Sequence, residues 1–254
     1  MATITDDLGY AFASSGPRAR VVSLVPSLTE SVAAARRDAL IGATDWCTHP
    51  GDLAVTRVRG TKNPDVAKIV ALHPDLVLAN KEVNRRTDVE RLRAAGISVW
   101  VTVIESVPQA LESLRRMFSR ALGWSVPAWL DKADAEFCRP APERRLRVVV
   151  PVWRDPWMVV GSRTFTGDLL ARLGLENVYG DAVDRYPQVS VAEILARRPD
   201  RVVLPDEPYR FTADDGPEAF PDTRSSLVEG RALTWYGPSL VNARAVVASA
   251  LDSG

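Results

Sequence analysis

The sequence predicts an α/β protein of two similar lobes, and three observations carry that prediction. The first is an internal repeat: "VAKIVALHPDLVLAN" (66 to 80) and "VAEILARRPDRVVLP" (191 to 205) match at an offset of 125 residues. Val66 answers Val191, Ile69 answers Ile194, Ala71 answers Ala196, and Pro74-Asp75 answers Pro199-Asp200. In each copy an apolar-periodic helix is stopped by proline, which cannot continue it, and β-branched residues then start a buried strand. The second is the alternation of strand-like and helix-like segments, which argues for parallel sheets with helices on both faces. The third is size, since 254 residues with 46% apolar content bury a sizeable core in one large domain or two small lobes.

In order, the first lobe reads as strand 20 to 26, a helix from Ser27, a strand near 40 to 43, helix 64 to 72, strand 76 to 79, helix 84 to 95 and strand 97 to 103. "SLTE" (27 to 30) has the spacing of a capping box, which would start the first helix directly after the first strand. Such strand-to-helix turns line the crevice at the carboxyl ends of open α/β sheets, where ligands bind. Helical patterns run through 107 to 122 and 126 to 138, each with proline near its start. "RPAPERR" (139 to 145) reads as a boundary, giving lobes at 18 to 106 and 145 to 254 with linking helices at 107 to 144. The second lobe opens on strand 146 to 153 and helix 166 to 173, repeats the helix-Pro-Asp-strand unit, and ends on "ALTWYG" (232 to 237) and a helix from Pro238 to about Leu251. The stretch from 206 to 226 reads as a long polar loop.

Composition narrows the function. Lys+Arg and Asp+Glu are equal at 32 each, so no global basic field draws in nucleic acid or an anionic membrane. Cys47 and Cys138 are the only cysteines, expected as free thiols. Asp6 and Asp7 stand where a signal peptide carries positive charge, and no cysteine follows a hydrophobic leader. No apolar run reaches the roughly 18 residues of a membrane span. As written, the chain is expected to be soluble and cytoplasmic, with no insertion into a membrane. There is no G-x-S-x-G elbow, no phosphate loop and no G-x-G-x-x-G, and two histidines are too few for a His-rich metal centre.

"GATDWCTHP" (42 to 50) offers Asp45, Cys47 and His49, fewer than the four protein ligands of a closed zinc site, and His73 precedes a strand at the end away from the crevice. What this loop offers instead is Trp46, either a ligand contact or a lid on the lobe's own core. "VWRDPWMVVG" (152 to 161) places Trp153, Arg154 and Trp157 just after the second lobe's first strand. Two tryptophans and an arginine suit an apolar ligand carrying carboxylate or amide groups; the alternative is an Arg154–Asp155 surface pair with core tryptophans. Lys62, Asn63, Asn80, Lys81 and Arg85 are candidate contacts for an anionic ligand or plain solvated loop residues. Glu207 and Tyr209 open the long loop and are candidates for a gate, Trp235 and Tyr236 end the last expected strand, and Ser190 reads as a helix cap.

"RVVSLVPSLTESV", "IGATDWCTHP", "GTKNPDVAKIVALHPDLVLAN", "LRAAGISVWVT" and "YPQVSVAEILARRPDRVVL" together resemble, in order, the signature segments of the class III periplasmic binding proteins, the helical-backbone metal receptors. The nearest branch is the cobalamin-binding proteins of corrinoid importers, and the resemblance runs from about Arg20 to the C-terminus. It implies two Rossmann-like α/β lobes joined by a helical backbone, with a ligand cleft between the lobes. It also implies no catalysis and no intrinsic cofactor, but a bound ligand such as cobalamin, haem or a ferric siderophore, handed to an ABC permease. Tyr186 matches a ligand-facing aromatic of those relatives, and Cys47 or His49 could give one axial bond to a metal carried in its own chelate. This chain departs from the pattern where Thr61 or Lys62 and Asn80 replace aromatics, and where Ala67 and Ala192 or Glu193 stand at the two permease-docking carboxylate positions. The expectation is a monomeric, non-enzymatic receptor for a corrinoid, haem-like or metal-chelate ligand. The alternative is an intracellular enzyme or sensor domain that reuses the scaffold for another small polar ligand.

Overall fold

The computed structural model describes residues 3–13, 16–143 and 146–253. It divides into two compact units. One takes in residues up to Ile104, Gln109–Lys132 and Tyr236–Pro238; the other takes in Glu105–Pro108, Ala133–Trp235 and the chain from Ser239 onward. Arg144 and Arg145, at the end of the boundary expected at 139 to 145, lie outside the described residues.

The first unit holds a five-stranded parallel sheet in the order Thr56–Arg57, Leu40–Ala43, Val21–Ser23, Leu76–Asn80, Val99–Thr102. The strands are apolar without alternation because both faces are covered. Val22, Val77, Ala79, Val99 and Val101 pack with Ile69 and Leu92 from the helices Val66–Ala71 and Arg86–Ala94. The expected capping box does not form. The first helix begins at Pro26, with Val25 as its N-cap and no side-chain cap. Proline is well suited to the first helical position, so the helix starts one residue early and Ser27 falls inside it, its carbonyl accepting from the Ser31 hydroxyl at 2.7 Å.

Two features of this unit were not read from the sequence. A short hairpin, Arg59–Gly60 with Asn63–Pro64, follows the edge strand. An N-terminal hairpin, Thr3–Thr5 with Ala11–Ala13, is tied down by Asp6 and Asp7. The Asp6 carboxylate has no exposed side-chain surface, pairs with Arg93 at 2.7 Å and accepts from the Leu8 and Tyr10 amides. Asp7 pairs with Arg116 at 2.9 Å and accepts from the Val103 amide. These two acids are structural anchors.

The second unit holds a four-stranded parallel sheet in the order Leu175–Asn177, Leu146–Val149, Arg201–Pro205, Ser225–Val228. The expected strand 146 to 153 is broken after Val149, and Pro151–Trp153 pairs antiparallel with Met158–Val159 instead. Pro151 has no N–H to give a central ladder, which confines it to such an edge. The helix Phe165–Arg172 is capped by Thr164, whose hydroxyl accepts from the Gly167 amide at 3.0 Å. Ser190 forms a full capping box with Glu193 at the head of Val191–Ala196.

The end of the chain differs most from expectation. The stretch 206 to 226 is not a loose loop: Phe211 and Phe220 are buried within it, and Ser225 starts the last strand of the sheet. "ALTWYG" is not a strand, since Arg231–Thr234 forms one helical turn. With Ser225–Val228 already at the sheet edge, the segment after it is free to turn into the closing helix Ala243–Asp252. Among the described residues no helix is long and apolar enough to cross a membrane.

The repeat has one structural explanation in both units. His73 and Arg198 each end their helix in the left-handed region, at φ of 46° and 50°, and the following proline prevents continuation. The aspartate after each proline then accepts backbone amides of the neighbouring strand's start: Asp75 from Ala19 and Arg20 at 2.9 Å each, Asp200 from Arg147 at 2.8 Å.

Candidate functional site

In the first unit, Trp46 sits on the loop after the strand Leu40–Ala43 and is 63% exposed. The loop is held from both flanks. The Asp45 amide donates to the Arg59 carbonyl at 2.9 Å, and the Arg57 guanidinium donates to the carbonyls of Thr44 (3.0 Å) and Cys47 (2.9 Å). The indole edge lies over Gly60, where a Cβ would stand 3.4 Å from Nε1. Trp46 is therefore presented to solvent on a braced loop, and it does not serve as a lid on the core.

Cys47 is the opposite case. It is completely buried, its Sγ 3.0 Å from the Thr29 hydroxyl and 3.1 Å from that of Thr44, and burial pushes the thiol above its ordinary value. A protonated thiol enclosed this way presents no thiolate to an incoming metal, which corrects the axial-ligand expectation for Cys47. His49 is half-buried, with Nδ1 3.1 Å from the Thr48 hydroxyl. Cys138 is exposed, and both cysteines are free thiols.

Asn80 also leaves the ligand set. It is buried, its Oδ1 accepts from the amides of Glu82 (2.9 Å) and Val83 (3.2 Å), and its Nδ2 donates to the Thr102 hydroxyl at 3.1 Å. Asn84 completes the network by donating to the Leu24 and Thr61 carbonyls and accepting from the Asn80 amide. A short asparagine side chain competes well for backbone groups just beyond a strand, which is why the turn uses two of them. Lys62 donates to the Glu82 carbonyl at 2.6 Å, and burial lowers its ammonium below the ordinary value. Asn63, Lys81 and Arg85 are exposed.

In the second unit, Trp153 is 45% exposed and stands edge-on to Tyr209, ring centroids 5.6 Å apart at 79°. Tyr209 leans on Phe211 at 4.7 Å, and Trp157 stacks on Phe211 at 5.8 Å and 9° and meets Phe220 edge-on at 5.2 Å. Trp157 is thus the half-buried floor of an aromatic cluster whose outer member is Trp153.

Arg154 lies over the Trp157 ring at 5.3 Å, and its guanidinium is bonded by both Asp215 and Glu218. Its hydrogen bonds to those carboxylates, Glu218 foremost, hold it above its ordinary value. Asp155 is 4.0 Å away, a minor partner. The Arg154 charge is therefore balanced within its own unit, chiefly by Asp215 and Glu218 through one terminal nitrogen, with the expected Asp155 pair a weaker third contact. The Tyr209 hydroxyl donates to the other oxygen of Asp215 at 2.7 Å, which keeps the phenol above its usual value.

Glu207 is not poised as a gate. It accepts from the Trp235 indole N–H at 2.8 Å, and burial pushes its carboxyl above the glutamate range. Trp235 and Tyr236 are buried. Tyr186 is half-buried on a segment whose Arg185 carbonyl accepts from the Gly161 amide at 2.8 Å, and Arg185 itself pairs with Glu105. At the docking positions, Ala67 is exposed and Glu193 is engaged by its capping serine.

Asp215, Glu218, Phe211 and Phe220 were not singled out in the sequence. The signal for them was present: two phenylalanines nine residues apart in a polar stretch mark a loop that folds onto a core. Among the described residues, no group of three or more His, Cys, Asp or Glu side chains is placed to hold a metal ion.

No protein-family profile matches the chain. Among curated proteins it is similar to a vitamin B12-binding protein of Pectobacterium carotovorum subsp. carotovorum (strain PC1), 26% identical over 208 residues, 76% of this chain and 74% of that protein. Among solved structures it resembles the periplasmic vitamin B12-binding protein BtuF of Vibrio cholerae, with a TM-score of 0.73 and 19% identity over 93% of this chain and 98% of that one. It also resembles the periplasmic heme-binding protein BhuT in complex with two hemes, with a TM-score of 0.78 and 22% identity over 94% and 99%. The structural likenesses establish the fold. They also correct one expectation: these neighbours are periplasmic proteins, so the cytoplasmic placement drawn from the N-terminal residues does not stand.

Proposed function

We propose, from the class III periplasmic binding protein family that these relatives and neighbours support, that the chain is a non-enzymatic receptor for a corrinoid, haem or other metal-chelate ligand. The curated relative is named for binding vitamin B12 and the structural neighbours for binding vitamin B12 and heme, which supports a small-ligand role. The permease of an ABC importer is the partner that follows from this reading, with the receptor acting as a monomer.

The observation that carries the proposal is the pair of exposed tryptophans, Trp46 at 63% and Trp153 at 45%, each just beyond a parallel strand's carboxyl end. A large aromatic held open to water loses the burial that would stabilise it, and in open α/β sheets the carboxyl ends of strands are where ligands sit. In this reading each unit offers its own contact surface, Trp46 in the first and Trp153 with Tyr209 in the second. His49, Lys62, Asn63 and Lys81 are further candidates on the first unit and Tyr186 on the second, where Trp157 and Arg154 lie beneath the aromatic surface.

The test is titration of the purified protein with cobalamin, haemin and a ferric siderophore, following tryptophan fluorescence. Saturable quenching by at least one is expected, with Trp46→Ala and Trp153→Ala each weakening affinity about 10-fold or more, as for interface aromatics. Silence for all three ligands sinks the proposal.

A further inference from the structure

We infer that the aromatic surface of the second unit selects its ligand by charge, taking an edge that is uncharged or cationic and bears hydrogen-bond donors, and disfavouring carboxylates. This rests on the receptor reading above and sharpens it. The key residue is Arg154, the one cation between Trp153 and Trp157. By residue type it is the natural clamp for an anionic ligand, yet its guanidinium is bonded by Asp215 and Glu218 and its face covers Trp157 at 5.3 Å. Both carboxylates meet the same terminal nitrogen, so the single positive charge, backed by an indole, already faces two negative ones. Arg154 is a positioning residue that ties residues 215 and 218 to the Trp157 floor.

What remains open beside Trp153 is acceptor chemistry. The side chains of Asp215 and Glu218 are 39% and 47% exposed, so parts of both carboxylates still face water. Tyr209, the partner of Trp153, already donates its hydroxyl proton to Asp215. Counting both segments, 153–157 and 206–218, there are six carboxylates (Asp155, Asp206, Glu207, Asp214, Asp215, Glu218) against two arginines, Arg154 and Arg210. A ligand carboxylate brought here meets two carboxylates against the one charge of Arg154, whereas an amide N–H or ammonium meets acceptors next to a stacking ring.

The experiment compares haemin, with two carboxylates, and its bis(propionamide), which has the same flat apolar face without the charges. Both are titrated against the intact protein and against Asp215→Asn/Glu218→Gln. Wild type is expected to bind the amide at least 10-fold more tightly, and the double variant, with Arg154 released, to reverse that order. Because the two ligands are compared on one protein, partial loss of folded material cancels in the ratio. Equal affinities in wild type, or a ratio unchanged in the variant, overturn the charge selection and leave the receptor reading standing. Silence of both haem compounds also overturns it, since the amide must bind. Only silence of cobalamin and the siderophore as well removes the receptor reading.

Discussion

At the amino end of the first unit's sheet, Arg20 donates from its guanidinium to the carbonyls of Leu72 (2.6 Å) and His73 (3.1 Å), closing the end of the helix Val66–Ala71. At the same place in the second unit, Arg147 donates to the carbonyls of Arg197 (2.8 Å) and Arg198 (2.7 Å). Each arginine sits at the start of a strand, Arg20 just before Val21–Ser23 and Arg147 within Leu146–Val149, and its own amide is in turn held by Asp75 or Asp200. The two units therefore share one clamp, in which an arginine satisfies helix-end carbonyls and an aspartate satisfies strand-start amides. Beyond the carboxyl ends of the strands the likeness stops. The first unit closes its turn with the buried Asn80–Asn84–Thr102 network, whereas the second raises an aromatic cluster with an acid-bound arginine. The difference teaches where the chain repeats to stay folded and where its two units have diverged.

The first unit alone is sealed by the N-terminal hairpin, and breaking that seal has the largest expected effect. Asp6→Ala leaves Arg93, whose side chain is 15% exposed, without its partner, and removing one member of a buried pair costs about 3–5 kcal/mol. Urea unfolding should show that loss; a change below about 1 kcal/mol would show the hairpin to be ornamental.

The shared clamp comes next. Asp75→Ala forfeits two charge-assisted bonds to amides and should cost about 2 kcal/mol, while Asp200→Ala, at a more exposed site, should cost about 1 kcal/mol. Side-by-side denaturation of the two variants sharpens the comparison, and the reverse order would mean that the second unit depends on its clamp more than the geometry implies.

The smallest effect is a pH dependence peculiar to the second unit. Burial raises the Glu207 carboxyl in the folded state, so folding favours the protonated form. Its stabilising contribution is complete at pH below the unfolded glutamate value and is lost as pH rises through the raised folded value. Glu207→Gln keeps an acceptor for the Trp235 indole and should be more stable than wild type at pH 8, with the difference vanishing near pH 4. A variant equally stable at both ends of that range would show that Glu207 sheds no stability on ionising.

Much of the scaffold was legible because its signals are local. The Pro-Asp repeat, the buried β-branched strands and the Ser190 helix cap each depend on neighbours within a few residues, and each appears where expected. The arginine half of the clamp was not legible as a repeat, because Arg20 and Arg147 are 127 residues apart while Asp75 and Asp200 are 125 apart. The first capping box failed for an equally local reason, since Pro26 claimed the helix start that Ser27 was expected to cap.

The site was legible by position more than by role. Trp46 and Trp153 stand exposed at strand ends, as residue type and place suggested, but Cys47, a few residues past such an end, and Asn80, which closes its strand, turn inward. Whether a polar side chain faces water or the core depends on which partners the rest of the chain brings within reach, and for Cys47 those partners are Thr29 and Thr44. By itself the sequence determined two parallel-sheet units and the loops that leave their strand ends, because hydrophobic periodicity and proline act within a few residues. Only the tertiary structure decided that Asp215 and Glu218, more than sixty residues along the chain, occupy Arg154, because charge pairing is set by distance in space and leaves no periodic trace in the sequence.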